Sequence, residues 1–379
     1  MTFKVPAAAL ACALSVAACG GHVTAPDRPS ASVSSQPPPP RAASSAEAVR
    51  ASWPQRAIRP EDATLQDASQ VLDPAAHVLY ALVPVASGSS YVLQAIDLRT
   101  GRVRRGASYR LSELALAAGY LWVYGQLHAG RPSVLDEVSP RTLATIRSLS
   151  VPGNDPAAPV AGAAGSVWAG AGRTLLRISV STGAVLARAV LPSGLELSAL
   201  AALPAGDVYA SAVRLNPGGA VVLEYTAGAG RRLAQSGGGA LKWSANGAWL
   251  TAVPGGVWVW FRTGMLGLSG LLSAQSLNVV AGLSTAPDAA DSPATGIGTI
   301  YDWAMGSSAA YAGGVLWVTT NGGLVACVNP VTGRVRDQER VASQPILVAP
   351  DPATRQIVVI MSQGATGVVS ITPPRDCWG

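Results

Sequence analysis

The sequence predicts an all-β fold assembled from a repeated four-stranded unit, and three observations lead there. A short apolar run carrying an aromatic residue recurs along most of the chain. A turn built from an apolar residue, then Asp, Ser or Asn, then two residues and often Thr-Gly follows it in most units. After the apolar N-terminus, no stretch reads as a convincing amphipathic helix.

The aromatic place is filled by Tyr80, Trp122, Trp168, Tyr209, Trp258 and Trp317. A seventh run, 356–360, carries Val358 there. The steps between them are 42, 46, 41, 49, 59 and 41 residues. Blades of a β-propeller, each of four strands in about 40–45 residues, have this period. A residue type that recurs at one repeat position is expected to pack between neighbouring blades. Trp243, Trp249, Trp260, Trp303 and Trp378 lie off that register.

The turns are 96–101, 138–142, 178–183 and 328–333, headed by Asp97, Ser139, Ser179 and Asn329. Short polar side chains bond nearby backbone groups and glycine accepts positive φ, so these read as turns between outer strands. Runs such as 91–98 and 221–225 are rich in β-branched and aromatic residues, as strands are.

The first and last units share an entry: Asp73-Pro74-Ala75 begins seven residues before Tyr80, and Asp351-Pro352-Ala353 seven before Val358. The last unit runs out at Gly379 before a fourth strand. An N-terminal strand within 53–60 is expected to complete it and remove an open edge. Seven blades are expected, with six or eight left open.

The Gly-x-[Val/Leu]-Trp-Val run followed by the polar turn resembles the repeats of virginiamycin B lyase-like and YVTN-type β-propellers, from about Asp67 to the C-terminus. The resemblance implies the fold, and for the lyase a late-blade histidine and a glutamate with a divalent metal. Here no histidine follows His128 and no glutamate lies between Glu224 and Glu339. No His, Cys and carboxylate cluster has metal-ligand spacing, and no nucleophile elbow or phosphate loop is present.

The ends point to a compartment. Residues 1–18 carry Lys4 and then an apolar run too short to span a bilayer, as in a secretory signal. The run ends in Val16-Ala17-Ala18-Cys19-Gly20, which resembles a bacterial lipobox and implies lipidation of Cys19. Residues 19–50 are rich in Ser, Ala and Pro, including 37–40, and read as a disordered spacer. Residues 51–379 are then the propeller. Of the four cysteines, Cys327 and Cys377 remain as a pair in an oxidising compartment, where a disulfide persists.

The net charge of +6 is mild for 379 residues, and arginine carries nearly all the positive charge. With abundant Ala and Gly, this is the usage of a GC-rich genome such as an actinobacterium's. The clusters at 102–105 and 231–232 read as edge-strand charges, and no broad basic face suggests nucleic acid.

The 59-residue step contains an insertion, about 274–302, that should join the outer strand of the fifth blade to the inner strand of the sixth. Long loops in compact domains are usually functional or disordered, so Asp288, Asp291, Asp302 and Trp303 are the candidate ligand-binding residues. No cofactor is expected. The expected function is a lipid-anchored, extracytoplasmic module that binds a protein, a glycan or a small molecule. The alternative is a metal-dependent lyase or hydrolase.

Overall fold

Runs of Val, Leu, Ala and Ile closed by glycine or polar turns bury backbone groups that must be paired, and neighbouring strands pair them. The computed structural model describes residues 52–58, 69–85, 90–127, 132–151, 159–203, 205–214, 220–227, 232–235, 248–263, 266–274, 277–281, 298–300, 308–319, 323–341, 345–361 and 367–378. Among them the strands form six hydrogen-bonded sheets, one of them of seven strands that a long shared strand divides in two, so that seven antiparallel sets result.

The first strand, β1 (Gln55–Ile58), belongs to the last set. Set one is β2 (Gln70–Asp73), β3 (Val78–Pro84), β4 (Tyr91–Asp97) and the first half of β5 (Val103–Ala117). The second half of β5 opens set two, followed by β6 (Tyr120–Gln126), β7 (Val134–Val138) and β8 (Thr145–Ser150). Set three is β9 (Val160–Ala163), β10 (Ser166–Ala171), β11 (Thr174–Ser179) and β12 (Val185–Val190). Set four is β13 (Leu195–Ala202), β14 (Val208–Arg214), β15 (Ala220–Tyr225) and β16 (Arg232–Gln235). In set five, β17 (Ala248–Val253), β18 (Gly256–Thr263) and β19 (Leu266–Ser273) are followed by β20 (Val279–Ala281) and β21 (Gly298–Ile300). Set six is β22 (Ala309–Ala312), β23 (Val315–Thr319), β24 (Leu324–Val328) and β25 (Val335–Arg340). Set seven is β26 (Pro345–Asp351), β27 (Gln356–Met361) and β28 (Val368–Ile371), completed by β1.

Every residue of the aromatic place lies on the second strand of its set, buried, and packs against the following set. Tyr80 meets Leu121 and Leu143; Trp122 meets Val167 and Ile178; Trp168 meets Val208 and Val221. Tyr209 meets Val257 and Leu272, Trp258 meets Leu316 and Ala326, and Trp317 meets Val348 and Ile357. Val358 meets Leu79 and Ile96 of set one, so the succession returns to its start.

Polar atoms reinforce this packing. Trp168 Nε1 donates to the Gly206 carbonyl and Trp258 Nε1 to the Pro330 carbonyl, each at 2.8 Å in the next set, and the Tyr80 hydroxyl donates to Pro140 at 3.3 Å. Outer-strand arginines reach the same kind of turn carbonyl. Arg56 donates to Leu98, Arg104 to Pro140 and Arg141, and Arg147 to Val180. Arginine suits this task because its fork offers five donors. The cluster at 102–105 therefore includes a structural tie.

The polar turns form as expected. The side chains of Asp97, Ser139, Ser179 and Asn329 accept from backbone N–H groups two or three residues on. Gly101, Gly183 and Gly333 close three of these turns at positive φ. In set two Leu143 holds that left-handed place, at φ 58°, with its side chain buried beside Gly106 in the cluster that includes Leu93. Leu277 does the same in a turn headed by Ser273.

The N-terminal strand closes the last set as expected, pairing Gln55 with Ile371 through Ile58 with Val368. Ahead of it, the Trp53 backbone N–H donates to Glu339, and its ring meets Trp317 edge-on with centroids 6.4 Å apart. The C-terminal tail docks on the same tryptophan, with Trp378 4.8 Å from Trp317. Cys377, in a single 3-10 turn at Arg375–Cys377, is disulfide-bonded to Cys327 on β24, with Cα atoms 5.6 Å apart. Where sets seven and one meet, His77 Nδ1 lies 3.1 Å from Asp351 Oδ2.

One expectation is corrected. The insertion does not follow the outer strand of set five but interrupts it. β20 pairs with Leu271 and Leu272, while β21 returns to pair with Gly267, Leu268 and Ser269 of the same β19. Strand pairing over three residues on each side was too short to be visible as a sequence pattern.

Two outcomes follow from this packing. Trp122 Nε1 has no hydrogen-bond partner among the described residues, unlike Trp168 Nε1. Trp168→Phe should therefore destabilise more than Trp122→Phe, by about 1–2 kcal/mol in denaturant melts, because only the former strands a buried carbonyl. The disulfide closes a loop of 50 residues, worth about 4 kcal/mol in the chain-entropy model. Cys327→Ser with Cys377→Ser should lower Tm by several degrees, and thiol titration of the denatured domain 51–379 should find two thiols only after reduction.

Candidate functional site

Cross-strand register defines a layer on the first strands of the sets, which follow one another around the interior. The residues of the aromatic place pair with Val71, Ala115, Ala161, Ala201, Thr251, Ala310 and Ala349. Two residues earlier stand Ser69, Glu113, Pro159, Ala199, Trp249, Ser308 and Leu347. Side chains two apart on a strand share a face, so these residues form one level. All of them line a single cavity of about 440 Å³, the mouth of a central channel. An apolar continuation shares Gln70, Ser308 and Leu347 with it and runs past Leu72, Tyr311 and Pro350.

The first strand of each set is an edge, so its outward N–H groups need partners. Two hydroxyls of the layer supply them in the same way. Ser69 Oγ accepts from Leu114 N–H of set two at 3.0 Å, and Ser308 Oγ accepts from Val348 N–H of set seven at 3.4 Å. Each hydroxyl thus joins its own set to the next beside the cavity.

Ser69 Oγ also donates to Glu113 Oε2 at 2.9 Å. Burial pushes the Glu113 carboxyl above the usual range, and this hydrogen bond opposes the shift only in part. Glu113 is the only ionisable side chain among the described residues that line the cavity.

On set five, Trp249 lines the same mouth and is 56% exposed, in contrast to the buried tryptophans of the aromatic place. Its cross-strand partner is Trp260, which is buried, donates from Nε1 to Thr251 Oγ1 at 3.3 Å and stacks on Trp258 with centroids 5.8 Å apart. Thr251 in turn donates to the Ala309 carbonyl of set six. The exposed indole stands across the strand pair from this fixed aromatic residue. The described lining therefore offers one carboxyl, a few hydroxyls and an open indole face, which suit binding through charge, hydrogen bonds and stacking. Its volume lies within the range of small-molecule sites.

Of the residues singled out in the sequence, Asp288, Asp291, Asp302 and Trp303 lie outside the described residues, as do Cys19 and Trp243. Cys327 and Cys377 are brought together. Trp378 serves packing, while Trp249 and Trp260 both line the channel, Trp249 exposed and Trp260 buried. Glu113 and Ser69 were not anticipated. The signal was present: Glu113, Pro159, Trp249 and Ser308 each stand nine residues before the aromatic place. In the first and last units the four-residue turns at Asp73 and Asp351 shift it to eleven, for Ser69 and Leu347. Among the described residues no three His, Cys, Asp or Glu side chains converge as metal ligands would.

The raised Glu113 carboxyl sets a pH signature. A carboxyl whose folded pKa exceeds its unfolded value contributes most stability below the unfolded pKa and loses it as pH rises through the folded one. Glu113→Gln keeps an acceptor for Ser69 and removes that loss. Tm of the variant should exceed that of the wild type at pH 7, and the gap should close on acidification below about pH 4.

No protein-family model and no curated protein matches the sequence. Solved structures do match in fold. The WD40 repeats of RRP9 superpose with a TM-score of 0.56 at 10% identity over 84% of this chain and 97% of that one. The WD40 β-propeller domain of Doa1 gives 0.55 at 9% identity over 86% and 99%. The β-propeller domain of Cps50 (Swd1) from Myceliophteria thermophila gives 0.53 at 12% over 85% and 100%. At such identities the likeness speaks for the fold: the chain is a β-propeller repeat protein.

Proposed function

We propose that this chain is an extracytoplasmic lipoprotein, held to the membrane through Cys19, whose seven-bladed propeller binds a ligand or partner at the channel mouth around Glu113 and Trp249. The observation that carries the binding reading is the level of seven side chains described above. It places one half-buried carboxyl and one exposed indole in a cavity whose described lining is otherwise neutral. An exposed tryptophan forgoes the gain of burial and a half-buried, incompletely compensated carboxyl carries a desolvation cost, and a binding role accounts for their presence together. The propeller fold itself is compatible with many activities, so the site rather than the fold carries the reading. The anchor reading is supported by the short charged start, the apolar run, the small residues before Cys19 and the Pro-rich spacer.

The seven strand sets support the blade count, with β1 supplying the last outer strand. The pairing of Cys327 with Cys377 suits an oxidising compartment.

Two measurements test this. Cell fractionation should find the wild type in salt-washed membranes and Cys19→Ser in the soluble fraction; a sedimenting variant would remove the anchor. A photo-crosslinking residue at position 249 should capture a specific adduct in intact cells, whereas the same residue at the exposed outer-strand position 186 should not. Capture from 186 alone would move the binding surface to the outer rim.

A further inference from the structure

We infer that the ligand of the channel mouth is a small organic cation, an alkylammonium group held by the Glu113 carboxylate and the face of Trp249. This rests on the channel-mouth reading above and names its ligand class.

Charge selects the sign. Among the described lining residues Glu113 is the only ionisable side chain, so the one charge this described lining offers is negative. Its surroundings are Ser69 and Gln70 from set one, Pro159 and Val160 from set three, and Tyr124 across its own sheet, none of them a cation. The carboxylate has a hydrogen bond from Ser69 but no ion-pair partner among the described residues.

Coordination chemistry selects against a bare metal ion. Calcium takes six to eight oxygen ligands and magnesium near-octahedral geometry, whereas the described lining holds a single carboxylate, with neutral hydroxyls and the Gln70 amide spread over several sets. A cation that carries its own apolar surface needs no such shell. Val160, Leu200 and Leu347 would contact that surface.

The aromatic wall completes the match. Cations bind over indole faces within about 6 Å of the ring centre. Trp249 belongs to set five and Glu113 to set two, with two sets between them on one side and three on the other. The indole and the carboxyl therefore stand on opposite walls of the mouth. Trp260, the cross-strand partner of Trp249, is held by Thr251 and Trp258, so the strand pair that carries the platform is fixed before any ligand arrives. A cation beside Glu113 favours its ionised form, so binding at mildly acidic pH should release a proton.

The experiment is calorimetric titration of the purified mature protein with butyltrimethylammonium chloride against sodium chloride at equal ionic strength. Saturable binding is expected, weakened at least tenfold by Glu113→Gln and by Trp249→Leu, with affinity rising from pH 5 to 7.5 and a buffer-dependent heat of proton release. Glu113→Gln should abolish the pH dependence. Trp249→Leu changes an exposed position, so it tests the site without burdening the fold. Equal affinity in wild type and Glu113→Gln would overturn the cation assignment, as would binding of a neutral oligosaccharide such as chitotriose with no response to that variant. No ammonium binding together with crosslinking at position 249 would also overturn it while leaving the channel-mouth reading standing. Loss of both signals would remove the two together.

Discussion

The structure depends on a single requirement, that each strand set cover the apolar face of its neighbour. A four-stranded sheet with both faces apolar cannot be stable alone, and here each set buries its aromatic-place residue in the following one. The succession must therefore return on itself or leave an apolar face bare. Val358 does this against Leu79 and Ile96, and the smaller side chain is accommodated because β1 and the Arg56 tie to Leu98 supply further contact at that junction. Closure falls on the terminal segments, which is why Trp53, Trp378 and the Cys327–Cys377 bond all converge on set six.

The ties between sets share a logic. Turns between the third and fourth strands present carbonyls that no strand can pair, and the preceding set supplies donors to them, from indole, phenol or guanidinium groups. At the interior edge, the unpaired groups are N–H donors, and serine hydroxyls take them up. Backbone groups that four-stranded sheets leave open thus select the polar residues at the outer and inner ends of the junctions. The channel mouth inherits its hydroxyls from this structural need, and Glu113 inherits its orientation from Ser69.

Much of the fold was legible because a strand has period two and a blade has a fixed number of strands. The aromatic spacing, the turns headed by Asp97, Ser179 and Asn329, and the N-terminal closing strand all follow from local pattern and were found where expected. Leu143 and Leu277 show the limit, since a left-handed residue without glycine leaves no local mark. The split outer strand of set five has the same cause: β20 and β21 are three residues each, and their place is given by β19 rather than by their own composition.

By itself the sequence determined the repeat, the all-β class, the closing strand and the cysteine pair, because each depends on spacing along the chain. Only the tertiary structure decided that Glu113 and Trp249, 136 residues apart, line one cavity, in which Trp249 is exposed and its cross-strand partner Trp260 is buried. That outcome depends on register. A one-residue change in pairing would turn each side chain to the other face of its sheet, and register is set by turns and by the packing of neighbouring sets.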